Sequence, residues 1–248
     1  VLGALLDLIL PPSCAGCGEP GFVACSSCTA ELMWDPAPRP PDPPPPGLPE
    51  CWSATGYDGA ARRMILAYKE RGRTALAPLL GSCLAGVAAA ALEGRSGPVA
   101  LVPVPSARAA SRRRGHDHVR AVAAAAAGKL RERGMPVSLL PALRQARRVA
   151  DQAGLSSTQR AANLSGAFQV SRGRPGLCRP PQGRPATLVL VDDVVTTGAT
   201  LAEAARVLRA AGAEVPFAVT VAATRRKAAT RKTTAQATTR REWSNSGP

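Results

Sequence analysis

Aromatic side chains are scarce in this 248-residue sequence, which holds three Phe, three Trp and two Tyr, 3% in all. Any stacking platform for nucleobases would be small, and Trp52, Tyr57 and Tyr68 are expected in the core. Acidic residues number only 17 against 32 Lys and Arg, a net charge of +15 that points towards acidic partners. No apolar run is expected to approach the roughly 18–20 residues that a bilayer-spanning helix needs, which sets aside an integral membrane protein. Val1–Leu10 is apolar, but it lacks a basic flank, carries Asp7 and runs into Pro11 and Pro12. A short packed helix, rather than a secretion signal, is expected there. Seven cysteines cannot all pair, and five of them fall within the first 51 residues. That layout is not a disulfide-built secreted domain.

Composition divides the chain into four parts. Residues 1–35 hold the first four cysteines. Residues 36–50 contain nine prolines, from Pro36 to Pro49, and are expected to form an extended, semi-rigid linker. Residues 51–224 alternate helical and strand-like apolar segments. Residues 225–248 carry seven basic residues against Glu242 and no apolar periodicity, as a disordered basic tail does. Removing the tail's +6 from +15 leaves +9 on residues 1–224, so the body is basic by itself.

Within residues 51–224 the spacing of apolar residues predicts helices over Gly59–Arg71, Ala75–Leu92, Asp117–Arg133 and Ala199–Ala211. Strands are expected at Val99–Val104, Val137–Leu140, Thr187–Val191 and Val215–Ala222. The β-branched run Thr187–Val191 suits a strand buried on both faces. Strand–helix alternation of this kind predicts an α/β fold, a mostly parallel sheet covered by helices.

Cys14-Ala-Gly-Cys17 and Cys25-Ser-Ser-Cys28 are two Cys-x-x-Cys pairs seven residues apart. Two such knuckles can complete a tetrahedral four-sulfur shell, so a structural Zn²⁺ on Cys14, Cys17, Cys25 and Cys28 is expected. The segment has almost no apolar core of its own, so the metal would supply much of its folding free energy. Four sulfurs close the shell and leave no position for a catalytic water. Cys51, Cys83 and Cys178 are isolated thiols.

The most informative segment is Thr187-Leu-Val-Leu-Val-Asp-Asp-Val-Val-Thr-Thr-Gly-Ala-Thr200. A buried strand is expected to end in Asp192 and Asp193, and a turn bearing Thr196, Thr197, Gly198 and Thr200 opens onto a helix. Helix N-termini attract phosphate through free N–H groups and the helix dipole. The hydroxyls add donors, and Gly198 lets a backbone approach closely. The carboxylates suit hydroxyl groups, such as a ribose diol, or a Mg²⁺-bound water. A site that grips phosphate at one end and a diol at the other fits a phosphorylated pentose.

Val191–Thr200 resembles the phosphoribosyl-pyrophosphate (PRPP) binding motif of type I phosphoribosyltransferases. Val102-Pro-Val-Pro105, Arg114-Gly-His-Asp-His118 and the run from Arg144 through Asp151-Gln152 to Asn163 and Phe168 narrow the resemblance. With the cysteine knuckles, they are similar to the ComF family, phosphoribosyltransferase-like proteins linked in several bacteria to natural competence. Many relatives have Arg-Gly-Phe-Asn-Gln where this chain has Arg-Gly-His-Asp-His.

The resemblance implies a type I phosphoribosyltransferase-like sheet preceded by a zinc module, with PRPP and Mg²⁺ as ligands. It places Asp192 and Asp193 on the ribose hydroxyls, and Thr196, Thr197, Gly198 and Thr200 around the 5′-phosphate. The Pro103–Ser106 turn, with Arg108 or Arg112 nearby, would face pyrophosphate. Residues 146–163 would form a closing loop, with Gln152, Arg160 and Asn163 as contacts. His116 and His118 are expected at a helix start or on the surface. The activity implied is phosphoribosyl transfer to a nucleobase-type acceptor in the cytoplasm. The alternative is a non-catalytic protein that handles single-stranded DNA, with competence-machinery partners, in DNA uptake and transformation.

Overall fold

A computed structural model of the chain describes residues 12–33, 35–106, 117–147, 159, 163–171 and 186–224. The segment Val1–Leu10 and the basic tail lie outside the described residues. Among these residues, β1 (Ala37–Pro38), β2 (Glu50–Gly56), β3 (Val99–Pro103), β4 (Val137–Leu139), β7 (Thr187–Val195) and β8 (Phe217–Ala223) form one sheet. Its order is β1-β2-β8-β7-β3-β4, and only β1 runs antiparallel to its neighbour. The strands β5 (Leu143–Gln145) and β6 (Phe168–Val170) pair antiparallel in a separate hairpin.

The sheet separates two cores. Along β7, Val189 and Val191 enter one core while Leu188 and Leu190 enter the other, the two-residue period of a strand. The first core is covered by α2 (Gly59–Glu70), α3 (Ala77–Ala91) and α4 (His118–Glu132), with α1 (Ser26–Leu32) beside α2. A single 3₁₀ turn, Thr74–Leu76, leads into α3. The second core lies under α5 (Ala199–Ala210) and the β5–β6 hairpin. Both central strands are covered on both faces, so they read as continuous apolar runs. The result is the expected α/β fold: a mostly parallel six-stranded sheet flanked by helices, with a cysteine cluster near the N-terminus.

Helices α3 and α4 approach closely because both are lined with small residues. A Cβ at Gly81 would lie 2.4 Å from the Ala125 Cβ, so only glycine fits at this crossing.

Three features depart from the sequence expectations. Thr74–Ala91 is an 18-residue stretch long and apolar enough to cross a membrane by length and composition, contrary to the expectation that none exists. Its apolarity has a different origin: half of it is buried inside this fold, where α3 meets α4, β8 and β2. Strand β7 does not stop before the acids but continues to Val195, pairing Asp192 with Thr220 and Val195 with Ala223. Val194 and Val195 renew the β-branched run, and β8 is long enough to pair with it. The proline-rich stretch, expected as an extended linker, lies against the sheet and turns at Pro45–Leu48, where the Leu48 N–H donates to the Pro45 carbonyl (3.2 Å). Arg39 donates from Nη1 to the Ser53 carbonyl (2.6 Å), and Leu48 reaches the second core. Pro38 sits on the sheet edge, where a missing N–H costs no ladder bond.

Candidate functional site

The four knuckle cysteines converge at one end of the first core. Their sulfur atoms all lie within 4.8 Å of one another. Cys17 Sγ and Cys25 Sγ are 3.7 Å apart. A tetrahedron with Zn–S bonds of about 2.3 Å has edges of roughly 3.8 Å, whereas a disulfide needs about 2.05 Å. The Cys14 sulfur accepts N–H groups from Gly16 (3.4 Å) and Cys25 (3.3 Å). Burial opposes ionisation of this thiol, but the surrounding N–H groups of Cys17, Cys25 and Gly16 outweigh it and bring it down to about 6. Burial and the neighbouring sulfurs push Cys28 the other way. Clustered sulfurs in competition for charge are the donor set that a structural Zn²⁺ satisfies, and the four cysteines are compatible with that ion.

The knuckles have little apolar core of their own, as expected, and share that of the domain. Cys14, Cys25, Cys28 and Leu32 all belong to the first core. Glu31 Oε1 accepts the Ala60 N–H at the start of α2 (2.8 Å). Arg63, on the same helix, donates to the Gly16 carbonyl, and Arg73 Nη2 donates to the Ser13 carbonyl (2.5 Å).

At the C-terminal end of the sheet, Asp193 turns into the first core. It is 8% exposed, and its Oδ2 meets Lys69 Nζ of α2 at 2.8 Å and His118 Nε2 of α4 at 3.0 Å. Burial alone would favour a neutral carboxyl. The Lys69 charge and the His118 hydrogen bond override it and hold Asp193 ionised, well below the usual carboxylate range. Burial lowers the tendency of Lys69 to ionise, and the Asp193 charge more than restores it. Asp192 is half-buried, and its Oδ1 accepts the Asp193 backbone N–H (2.9 Å). Burial and the adjacent Asp193 charge raise its carboxyl to about 8. The two acids therefore differ: one is a fixed anion and the other holds a proton near neutrality.

The hydrogen bonds extend past the pair. His118 Nδ1 lies 3.2 Å from Ser106 Oγ, at the end of the turn that follows β3. Ser106 Oγ also donates to Asp117 Oδ1 (3.3 Å), and Asp117 caps α4 by accepting the Arg120 N–H (3.2 Å). Tyr68 donates its hydroxyl to the His118 carbonyl (3.0 Å) and fixes the start of α4 from α2.

Beyond Val195 the chain turns into α5 through Gly198, whose φ of +73° is left-handed. A Cβ there would also come within 3.0 Å of Pro41 and 3.1 Å of Leu48. Glycine is thus required by the turn and by the proline-rich segment that covers it. Thr196 is exposed, Thr197 and Thr200 are half-buried, and Thr197 Oγ1 accepts the Ala199 N–H at 3.5 Å. The N-terminus of α5 opens next to the ends of β7 and β3, outside the carboxyl ends of parallel strands.

Of the residues singled out in the sequence, Asp192, Asp193, Thr196, Thr197, Gly198 and Thr200 lie at this edge, and Ser106 joins them through His118. Asn163 stands at the foot of the β5–β6 hairpin, where its carbonyl accepts from Arg147 Nη2 (2.7 Å). Arg108, Arg112, Gln152, Arg160 and His116 lie outside the described residues. His118 does open a helix, as expected, but it is 4% exposed and points inward, so the surface alternative is corrected. Lys69 went unnoticed in the sequence. Its signal was spacing: it follows buried Ile65 by one helical turn, a lysine on a core-facing position.

Comparison with known proteins adds one match. Residues 114–247, more than half of the chain, match the family model described as "Phosphoribosyl transferase domain". No curated protein matches the chain.

Proposed function

The chain belongs to the phosphoribosyl transferase domain family, and from that premise we propose that it binds PRPP with Mg²⁺ at the Asp192–Thr200 edge. The observation that carries this reading is the continuity of an acid pair at the end of β7 with a glycine turn and a helix N-terminus. The acids receive the ribose hydroxyls. Thr196, Thr197, Gly198 and Thr200, with the first N–H groups of α5, receive the 5′-phosphate. The Pro103–Ser106 turn, with Arg108 or Arg112, faces pyrophosphate, and the loop carrying Gln152, Arg160 and Asn163 closes over it.

In transfer, the anomeric carbon loses pyrophosphate through an oxocarbenium-like state. The negative charge beneath the ribose favours that cation, and the basic side chains favour the departing oxygens. Asp192, half-exposed and acidic, suits a Mg²⁺-bound water. Bound Mg²⁺ would neutralise pyrophosphate charge. The four-cysteine knuckles and the order of motifs support the narrower ComF-like reading, an intracellular protein of the cytoplasm, where thiols stay reduced. The alternative role in single-stranded DNA handling and competence rests on the +15 net charge, the cysteine knuckles and the basic residues of 225–248.

The test is calorimetric titration of PRPP with Mg²⁺ into the zinc-loaded protein, beside the Asp192→Asn/Asp193→Asn double variant. Binding by the wild type that weakens at least about tenfold in the variant is expected. Equal affinity of the two proteins overturns the assignment of the acids. No binding by either overturns PRPP recognition.

A further inference from the structure

Strand order gives the site two sides. Strand β7, which carries the acid pair, lies between β3 and β8, and β2 lies beyond β8. On the PRPP reading, pyrophosphate faces the Pro103–Ser106 turn and so occupies the β3 side. A nucleophile that replaces it must reach the anomeric carbon from the face opposite the leaving group. The acceptor therefore enters over the ends of β8 and β2.

That side offers one aromatic ring beside small residues. The end of β8 carries Ala222 and Ala223, with Thr224 next. Tyr57 follows the last residue of β2, and its N–H donates to the Ala223 carbonyl (2.7 Å). Gly56 and Val195 both pair with Ala223, so Tyr57 stands level with the start of the phosphate turn. Two strand spacings, about 10 Å, separate β2 from β7. Tyr57 packs on the first core yet stays only half-buried. Among the described residues no side-chain hydrogen bond holds its hydroxyl. Burial pushes its phenol up, and the charges of Lys69, Arg62 and Asp193 also act on it, which places the ring beside the acid pair. The other aromatic rings of the sheet and α2 are placed differently. Tyr68 is buried with its hydroxyl on the His118 carbonyl, while Trp52 and Phe217 lie nearer the opposite ends of β2 and β8.

We propose that Tyr57 is the acceptor platform: its ring stacks on a flat heterocyclic base that lies over the end of β8, with a ring nitrogen towards the anomeric carbon. This rests on the PRPP reading and adds the acceptor to it. Every base has a π-face, so the ring selects for aromatic planarity and leaves the choice among bases to other contacts. One ring is also the small platform that an aromatic-poor sequence allows.

The test is calorimetry on the full zinc-loaded chain, saturated with Mg²⁺ and the carbocyclic analogue of PRPP. The analogue lacks the ring oxygen that an oxocarbenium ion needs, so no base is consumed. Adenine, guanine, cytosine, uracil and nicotinate are titrated in turn, and at least one should bind. Tyr57→Leu keeps apolar packing on the first core but has no flat face, and it should weaken that base at least about tenfold. Tyr57→Phe should stay within about threefold of the wild type. Affinity for the analogue should agree within about twofold in all three proteins, because Tyr57 lies on the side away from the pyrophosphate turn. Equal base affinity in Tyr57→Leu overturns the platform. So does a loss shared equally by the analogue, which would make Tyr57 a support of the whole site. Failure of every base to bind the wild type overturns it as well. Those three outcomes leave PRPP recognition standing, whereas a wild-type chain that binds neither PRPP nor its analogue overturns the parent reading.

Discussion

Asp192 and Asp193 are adjacent in sequence and opposite in electrostatic fate. The folded state holds a proton on Asp192 that an unfolded chain releases near pH 4, because burial and the Asp193 charge raise the carboxyl to about 8. A raised carboxyl lowers stability progressively as pH climbs from the ordinary carboxylate range to its folded value, and no further above it. Asp193 behaves in the reverse sense. Lys69 and His118 depress it, so its contribution is present above the ordinary range and is lost as pH falls below it. Asp192→Asn should therefore raise the melting temperature, and by at least ~3 °C more at pH 9 than at pH 5. Thermal melts of the two proteins at the two pH values decide the matter. A shift of the same size at both would mean that the Asp192 carboxyl titrates normally.

The helices and the two central strands were legible from their patterns, since α2, α4 and α5 each bury one stripe, β8 is buried throughout and β7 is buried over Leu188–Val191. Strands β1, β2, β5 and β6 were not, although the edge strand β4 was. Strand β1 is two residues long and contains proline, and β5 and β6 are three residues each, too short for any period to register. The acid pair and the threonine–glycine turn were visible because they are contiguous. Lys69 and His118 were not recognised as its partners because they lie far away in sequence and meet Asp193 only when α2 and α4 dock on the same face. The α3–α4 crossing has its own test. Gly81→Ala would place a methyl 2.4 Å from the Ala125 Cβ and should destabilise the protein by roughly 1–3 kcal/mol. Denaturant midpoints would record this, and Ala125→Gly in the same chain should recover most of it. A neutral Gly81→Ala would show that the two helices can slide apart at little cost.

Among the described residues of the whole molecule there is no clean seam between knuckles and domain. Three of the four clustered cysteines are part of the first core, and three side-chain hydrogen bonds tie the knuckles to α2 and the turn after it. Metal removal should thus be felt throughout. Chelation is expected to lower the melting temperature by at least ~10 °C while the unfolding transition remains single. Calorimetry that instead shows an unchanged main transition would mean that the knuckles fold apart from the domain.

Helix α2 connects the two ends of this arrangement. Its first turn is capped by Glu31 from the knuckle, and its last turn delivers Lys69 to Asp193. Twelve residues make a rod of about 18 Å. In genetic terms, the two ends of that rod belong to one unit of function. A lesion at a knuckle cysteine loosens the mooring of α2, and a lesion at Asp193 removes what the helix is moored for. A screen for loss of function should return both with the same phenotype, and distance from the acid pair would be a poor guide to which residues matter.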